Sequence, residues 1–337
     1  MRVARTLDDL AELSGVSRAT VSRVINGGPV SEETRRRVLE VIEGTNYRPN
    51  LAARSLASGR TGVVGVVMHV DPPVLFEDSY FVALLHGVSD VLADRASGMM
   101  LWLGNRTKEE TLDRILGTGL MDGVIVSADN LDDPLVDGLL ASDLPTVLIG
   151  HRRSDLTASY VDIDNIGAAD TVTTHLVEIG KTRIGHITGR LGSVAGEDRL
   201  TGYRRAMQRA GLDPELFVVE GDFTRPTGVA AAARLLELGV DAIFCANDAT
   251  ASGALETIKA AGMLVPRDVA LAGFDDLPVA SELDPPLTTI RQGVHAQGIE
   301  SASALLSLLE NPESGPRRVL LPTELVIRQS TVGGLSG

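Results

Sequence analysis

Apolar residues recur at helical spacing in three short segments at the start of the chain. The first segment places Leu7, Leu10 and Ala11 on one helical face, and Thr6 with Asp9 can form a capping box in front of it. A glycine follows the pattern in each segment, where a left-handed residue ends a helix at the least cost. The pattern therefore predicts three short helices before residue 46.

The second and third helices are each preceded by a serine that can act as the N-cap, Ser17 and Ser31. Their inner faces carry mostly β-branched residues: Val21, Val24 and Ile25 in the second helix, and Thr34, Val38, Val41 and Ile42 in the third. Two short helices joined at a glycine, with arginines on the outer face of the second, are typical of a helix-turn-helix that places one helix in the major groove of DNA. The same spacing also fits a three-helix bundle with an ordinary solvated face.

After residue 61, short apolar runs rich in β-branched residues alternate with helical segments. Eight such runs occur, at residues 63–70, 99–104, 123–128, 145–150, 183–189, 216–221, 241–247 and 269–276. Runs of this length separated by helices predict parallel strands with crossover helices. The expected fold class is a small all-α head followed by an α/β core of two doubly wound, parallel-sheet lobes. The lobes are expected at about 62–162 and 163–290, with crossing segments at 291–337 that include a helix over Ser301 to Leu309.

Charge is distributed unevenly along the chain. The net charge is −14, but residues 1–60 hold ten arginines against seven acidic residues, which gives +3 for this part and −17 for the rest. A basic head on an acidic body lets only the head approach phosphates. Aromatic residues make up 3% of the chain, too few for the stacking platforms of single-strand binders. The distribution favours a head that contacts double-stranded DNA.

The sequence lacks the signals of export, of membrane insertion and of catalysis. No apolar run is long enough for a membrane span or a signal peptide, and a cytoplasmic protein is therefore expected. The single cysteine, Cys245, lies in an apolar run and is expected to be a buried, inert thiol. No dinucleotide loop, nucleophile elbow or zinc-protease motif occurs, and the six histidines show no metal-ligand spacing. The sequence therefore predicts no enzyme, no cofactor and no metal site.

Two long runs near the start of the chain resemble a known family. The resemblance is to the DNA-binding head and hinge of the lactose-repressor (LacI) family, and it covers TLDDLAELSGVSRATVSRVING at 6–27 and VSEETRRRVLEVIEGTNYRPNLAARSLASGRTGVVGVV at 30–67. It implies a helix-turn-helix domain at 1–48 and a hinge helix at 49–61. The remainder, 62–337, would be a two-lobe ligand-binding and dimerisation core that is similar to periplasmic binding proteins.

The resemblance also implies which residues contact DNA. Arg18, Ala19 and Arg23 take base-reading positions on the second helix, and Leu56 takes the position of a wedge between base pairs in the minor groove. The full implied set is Thr6, Ser17, Arg18, Ala19, Thr20, Ser22, Arg23, Asn26, Tyr47, Asn50, Ala53, Arg54 and Leu56. By itself, Leu56 is also compatible with an ordinary apolar residue in a linker.

Polar residues follow the predicted strands in both lobes, where α/β sheets bind their ligands. Four of them are candidate effector contacts by this position: His69, Asp71, Asn247 and Asp248. The family resemblance adds an arginine, a carboxylate and three aromatic residues: Arg199, Asp275, Tyr80, Phe81 and Phe223. Such a set suits a polyhydroxylated sugar, because charged groups bind hydroxyls and rings pack on C–H faces.

Each of these assignments has a structural alternative. Arg199 is a surface cation, Phe223 a core residue, and His69 and His151 only line the strand ends in that interpretation. Asp162 and Asp164 precede a helical segment and are expected to cap it. The segment 70–78 departs from the pattern of known sugar repressors, so the identity of the effector stays open.

The sequence as a whole favours a ligand-controlled DNA-binding repressor. It is expected to bind palindromic operator DNA as a homodimer and to take a small molecule, most simply a carbohydrate, as effector. A sugar-binding protein of the periplasmic type without a DNA function is the alternative, but it would lack the helix-turn-helix. Both an inducer and a corepressor are compatible with the sequence.

Overall fold

The computed structural model describes residues 6–25, 28–45, 47, 59–68, 70, 72–103, 107–127, 130, 132–151 and 157–332. The chain forms two compact units, residues 1–61 and residues 62–337. Seven residues with expected functions lie outside the described ones, as does most of the expected hinge helix: Asn26, Asn50, Ala53, Arg54, Leu56, His69 and Asp71.

Where the structure describes the first unit, it forms a bundle of three helices: α1 (Leu7–Ser14), α2 (Arg18–Ile25) and α3 (Glu32–Thr45). Both bonds of the capping box form, because Thr6 N–H donates to Asp9 Oδ2 over 2.9 Å and Asp9 N–H donates to Thr6 Oγ1 over 3.2 Å. Gly15 ends α1 in the left-handed conformation, at φ 65°. Four side chains form the buried core: Leu10, Val21, Val24 and Val38. The three helices predicted before residue 46 are confirmed.

Six strands form the sheet of the first lobe: β1 (Val63–Met68), β2 (Gly98–Leu103), β3 (Gly123–Ser127), β4 (Thr146–Ile149), β5 (Ser159–Ile163) and β11 (Arg318–Leu321). All are parallel, in the order β2-β1-β3-β4-β5-β11. Five helices in the described part of the lobe and of the crossing segments accompany this sheet: α4 (Pro72–Glu77), α5 (Ser79–Asp94), α6 (Lys108–Thr118), α7 (Pro134–Leu140) and α13 (Val294–Glu310). Side chains of α5 and α13 bury one face of the sheet, and those of α6 and α7 bury the other.

The second lobe has a sheet of four parallel strands: β6 (Ile184–Ile187), β7 (Val218–Val219), β8 (Ala242–Cys245) and β9 (Ala270–Ala272). Their order is β7-β6-β8-β9. Five helices belong to this part of the chain: α8 (Asn165–Glu178), α9 (Val194–Arg209), α10 (Arg225–Glu237), α11 (Asp248–Ala260) and α12 (Pro278–Glu282). Side chains of α8 and α9 bury one face of the sheet and those of α10 and α11 the other, so the doubly wound fold class is confirmed.

The end of the chain returns to both lobes. The helix expected over Ser301 to Leu309 is longer, since α13 begins at Val294, and it packs on the first lobe. Strand β11 extends the first sheet, whereas β12 (Glu324–Val326) pairs antiparallel with β10 (Thr289–Arg291) and contacts α8. A short 3-10 helix, Pro312–Ser314, precedes β11.

Helices α5 and α13 approach each other closely at two glycines. A Cβ on Gly87 would lie 2.1 Å from the carbonyl oxygen of His295, and a Cβ on Gly298 would lie 2.2 Å from that of Leu84. Any larger residue would push the backbones apart. Both positions therefore require glycine, and they fix the register of the two helices.

Two further features concern the described helices and Cys245. No helix within the described ranges has the length and apolarity needed to cross a membrane. Cys245 is buried at the end of β8, as the sequence predicts, and burial raises the pKa of its thiol. This keeps the thiol protonated and inert at neutral pH.

His186 is a buried polar residue in β6. Its ring stacks between Tyr203 and Phe244, with centroids 4.9 and 4.6 Å away. Its Nδ1 pairs with the Phe244 carbonyl oxygen over 2.9 Å, whereas its Nε2 has no hydrogen-bond partner in the described part of the chain. Burial lowers the pKa of His186 to about 4, because a charged imidazolium would lose its hydration there.

This buried imidazole is expected to make a destabilising contribution to the second unit in acid. An unfolded histidine has a pKa of about 6.5, so between pH 6.5 and 4 the unfolded chain binds a proton that the native chain does not. The contribution of His186 to the free energy of unfolding therefore falls as the pH is lowered through this window, by about 3 kcal/mol at its lower end. The buried Asp248 carboxyl, whose pKa is raised to about 7, acts in the opposite direction, so the effect of His186 is isolated by comparison with a variant. His186→Asn keeps an N–H donor but does not titrate, and should flatten this dependence. Urea unfolding across the window measures it, and parallel pH curves for the two proteins would contradict the assignment.

Candidate functional site

The outer face of α2 is the candidate DNA-binding surface of the first unit. Arg18, Ala19 and Arg23 are exposed there, opposite the buried valines. The Arg18 guanidinium lies 3.6 Å from the Asp8 carboxylate, with the two side chains 67% and 70% exposed. An exposed pair of this kind is worth less than about 1 kcal/mol, so Arg18 can exchange it for a base edge or a phosphate.

The other expected DNA contacts in this unit also serve its structure. Thr20 N–H donates to Ser17 Oγ over 3.2 Å, which caps α2, and the two hydroxyls lie 2.9 Å apart. Thr6 caps α1, Ser22 is half-buried, and Tyr47 packs against the core of the bundle. Thr6 and Ser17 stay exposed, so capping and a phosphate contact are compatible at both positions.

In the second unit, a cavity of about 50 Å³ lies where the two lobes meet. Both lobes and the crossing segments line it: Tyr80, Ile149, Gly150, Asp162, Asn165, Val194, Ala195, Arg199, Gln292 and Gln297. Strands β4 and β5 end at this cavity, and α5, α8, α9 and α13 begin there. Ligands of α/β folds bind at this edge of the sheet, where the sequence predicts the effector site. Most of the lining can donate or accept hydrogen bonds.

Arg199 is the cation among the described residues of the cavity wall and is only 5% exposed, so it is not a surface cation. Its Nε donates to Asn165 Oδ1 over 3.0 Å, and its Nη1 donates to the Ala246 carbonyl oxygen over 2.5 Å. The same Nη1 lies 3.5 Å from Asp275 Oδ1, and the guanidinium carbon sits 3.7 Å from the centre of the Phe274 ring. Burial lowers the pKa of Arg199 and the Asp275 charge opposes this, so the guanidinium stays charged at neutral pH.

Asp275 lies behind the cavity wall and connects Arg199 to two glutamines. Its Oδ1 accepts a hydrogen bond from Gln292 Nε2, and Gln292 Oε1 accepts one from Gln297 Nε2 over 2.9 Å. Asp275 does not line the cavity among the described residues, and its backbone has φ 115°. Burial raises the pKa of Asp275, an effect that Arg199 opposes. The carboxylate thus orients the groups that do face the cavity.

Asp162 lines the cavity, and the expectation that it caps the following helix is wrong. Its Oδ2 accepts from His151 N–H over 3.0 Å and lies 2.6 Å from His151 Nδ1. The His151 ring stacks on Tyr160 at 4.6 Å. Asp164 alone of the two aspartates supplies the cap of α8, accepting from Gly167 N–H over 2.9 Å. Strand β5 is not among the eight apolar runs, so the sequence pattern places no strand end at Asp162.

Asp248 and Asn247 follow β8, but their side chains hold loops together. Asp248 accepts from Leu277 N–H over 2.9 Å and from Thr289 Oγ1 over 2.6 Å. Asn247 caps α11 and donates to the Phe223 carbonyl oxygen over 3.0 Å. Burial raises the pKa of Asp248 to about 7. Neither residue lines the cavity among the residues that the structure describes.

Aromatic rings approach the cavity region from both lobes. Tyr80 lines the cavity, and Phe81 packs edge-on against it at 5.3 Å and contacts the core of the first lobe. Phe223 has φ 72°, and its ring covers Gly189, where a Cβ would lie 2.0 Å from a ring carbon. Its ring centre is 5.8 Å from the Arg199 guanidinium carbon. Tyr80 is therefore the ring available to a ligand, and Phe223 is a half-buried neighbour of Arg199.

Comparisons with known proteins cover both units. Residues 6–50 match the family of bacterial regulatory proteins called the lacI family, and residues 173–331 match a periplasmic binding protein-like domain. The HTH-type transcriptional regulator CelR of Thermobifida fusca is 39% identical over 332 residues, which cover 96% of this chain and 98% of CelR. The HTH-type transcriptional regulator RegA of Clostridium saccharobutylicum is 32% identical over 338 residues, covering 98% of this chain and all of RegA. Both relatives are named as HTH-type transcriptional regulators.

Solved structures show the same two-unit architecture. A complex of CelR with cellobiose has 38% sequence identity and a TM-score of 0.76, covering 97% of this chain and 100% of that chain. A lac repressor dimer bound to operator and the anti-inducer ONPF has 28% identity and a TM-score of 0.86, covering 97% and 98%. Because the similarity extends over the head and both lobes, the chain belongs to the lacI family of DNA-binding transcriptional regulators.

Proposed function

We propose that this regulator is a repressor whose affinity for operator DNA is controlled by a carbohydrate bound between the lobes. The observation that carries the proposal is a buried arginine, Arg199, at a polar interlobe cavity in a chain that begins with a helix-turn-helix. Such a protein acts on the chromosome and therefore in the cytoplasm, and its activity requires no cofactor.

The lining of the cavity supports a polyhydroxylated ligand. Asp162 offers carboxylate acceptors, Arg199 offers N–H donors, and Gln297 offers an amide that does both. Hydroxyl groups can use all three, while the Tyr80 ring can pack on the C–H face of a sugar. The related CelR structure is a complex with cellobiose, which supports a sugar as effector here as well.

The size of the cavity supports a coupling between ligand and lobe arrangement. Its volume of about 50 Å³ is far below the roughly 300–1,000 Å³ of sites for small organic ligands. A sugar is therefore admitted only when groups around the cavity move apart. A ligand that binds one lobe arrangement better than another shifts the population toward that arrangement, and this is how it would control DNA binding.

The small size of the head supports operator binding by two chains. Helix α2 has only eight residues, so it reaches only a few base pairs of one groove. Two heads related by a two-fold axis would read a palindrome, with half-sites about one helical turn apart or a multiple of it. The related lac repressor structure is a dimer bound to operator, in line with this arrangement.

Selection of binding sites from random duplex DNA, followed by sugar titration, tests the proposal. The protein is expected to select a two-fold symmetric site of about 14–20 base pairs. A sugar from a panel that begins with cellobiose, identified by thermal shift, should change operator affinity at least about tenfold. Selected sites without two-fold symmetry would contradict operator binding by two chains. An operator affinity that no sugar in the panel changes would contradict control by a carbohydrate.

Within this experiment, Arg18→Ala separates base reading from general DNA binding. The variant should relax the preference at one or two positions per half-site, at about 1–3 kcal/mol each. Arg36→Ala removes an exposed arginine on α3 and serves as the matched control, with an unchanged sequence preference. If the Arg18→Ala variant keeps the base preferences of the parent protein, Arg18 does not read bases and contacts phosphates instead.

A further inference from the structure

Three side chains that commonly bind metals meet on the surface of the first lobe. His86 and Asp90 are one turn apart on α5, and His295 lies in the first turn of α13. His86 Nε2 is 3.6 Å from Asp90 Oδ1, and His295 Nε2 is 2.9 Å from Asp90 Oδ2. One ligand atom from each residue lies within 4.8 Å of the others. Because His295 is 205 positions from Asp90, sequence spacing alone could not reveal the cluster.

The spacing of these atoms suits metal coordination. Zn²⁺ binds nitrogen and oxygen ligands at about 2.0–2.2 Å, so two ligands of a tetrahedral site lie about 3.3–3.6 Å apart. The separation of His86 Nε2 and Asp90 Oδ1 is already 3.6 Å, and His295 Nε2 lies 2.9 Å from the other carboxylate oxygen of Asp90. The side chains are 69%, 50% and 44% exposed for His86, Asp90 and His295, so an ion can reach them and water can fill the open positions.

The helix crossing holds the cluster in place. Gly87 follows His86 directly, and a Cβ at Gly87 would lie 2.1 Å from the carbonyl oxygen of His295. The two backbones are therefore in contact at the cluster itself, and the imidazole centroids lie only 5.0 Å apart. Ligands on such a rigid platform lose little backbone freedom when an ion binds, which favours binding.

We propose that His86, Asp90 and His295 form a surface site for a divalent transition-metal ion. Two imidazole nitrogens and one carboxylate oxygen favour ions such as Zn²⁺, Co²⁺ or Ni²⁺ over Mg²⁺ and Ca²⁺, which prefer oxygen ligands only. The bound ion joins α5 to the first turn of α13, where Gln297 lines the ligand cavity. The competing explanation is a network of polar contacts among the same three side chains that binds no metal.

Calorimetric titration with Zn²⁺ distinguishes the two. The full chain is used without a histidine tag, after dialysis against a chelator. The titration is run at about pH 7.5, because protons compete with the metal ion for the imidazole nitrogens at lower pH. We expect one saturable site per chain. His86→Ala, Asp90→Asn and His295→Ala should each weaken Zn²⁺ binding at least about tenfold. The visible absorption bands of bound Co²⁺ should disappear in the same three variants.

The matched control is Asp94→Asn, which makes the same chemical change one turn further along α5, at an exposed position. This variant should bind Zn²⁺ like the parent protein. Far-ultraviolet circular dichroism and the thermal midpoint without metal identify any variant that fails to fold, and His295→Gln then replaces His295→Ala. The proposal is overturned by the absence of saturable Zn²⁺ binding, or by a Zn²⁺ affinity that the ligand variants leave unchanged.

Discussion

Arg199→Met combined with Asp275→Asn is expected to abolish the response to the effector while leaving operator binding intact. The Arg199 guanidinium faces the cavity, and two charge-assisted hydrogen bonds to a ligand, at about 1.5–3 kcal/mol each, correspond to more than a hundredfold in affinity. Both residues are replaced because a substitution of Arg199 alone would leave Asp275 as a buried charge without its cation. Removing both charges separates the loss of the ligand from the loss of the fold.

The measurement combines thermal shift with effector and fluorescence anisotropy with operator DNA. Arg204→Met is the matched control, because Arg204 also lies on α9 but is paired with Glu215 at 2.6 Å near the surface. The control should respond to the effector like the parent protein. An unchanged effector dissociation constant in the double variant would show that the ligand binds elsewhere.

Leu56→Ala is expected to lower operator affinity about a hundredfold without changing effector affinity or the dimer. A segment of eight residues such as 50–57 offers only two turns to a helix, too few to be stable alone, so we expect the proposed hinge helix to fold only against its dimer mate and the DNA groove. Insertion of Leu56 between base pairs costs a few kcal/mol of unstacking, which apolar burial and the resulting DNA bend offset. Alanine at this position would remove the wedge and much of the bend.

Gel mobility of operator fragments with the site at the end or in the middle measures this bend, and anisotropy measures the affinity. Leu51→Ala, an apolar truncation in the same segment, is the matched control and should keep the bend. If the Leu56→Ala protein bends and binds the operator like the parent, Leu56 does not insert between base pairs and the hinge only connects the head to the core.

Strand positions were predictable where the strand is apolar throughout. All eight runs contain a strand, because parallel strands buried on both faces must be apolar at nearly every position. Strand β5 reads SYVDI, and β10 reads TIR, so polar residues interrupt the signal in both. Their pairing is set by neighbours distant in sequence, such as β11 beside β5, and no local pattern encodes that.

The sequence predicts the location of the candidate site at the strand ends, but it predicts only some of the residues that line the cavity. A strand end indicates where a polar side chain lies, not where it points, and Asp248 turns to Leu277 and Thr289 instead of the cavity. Gln292 and Gln297 line the cavity from the crossing segment, and hydrophobic periodicity does not predict which polar residues there contact a ligand. Arg199 was found only through its family motif, since one arginine on a helix carries no signal of burial.

The left-handed backbone at Phe223 and Asp275 makes this region a place where stability and responsiveness compete. Residues with side chains cost about 1–3 kcal/mol each in such conformations, and the rest of the fold must supply that energy. Glycine would relax the strain at either position, but it would also delete the ring beside Arg199 or the carboxylate that orients it. Selection for thermal stability alone should therefore favour glycine at these two positions. The resulting protein is expected to respond less to its ligand.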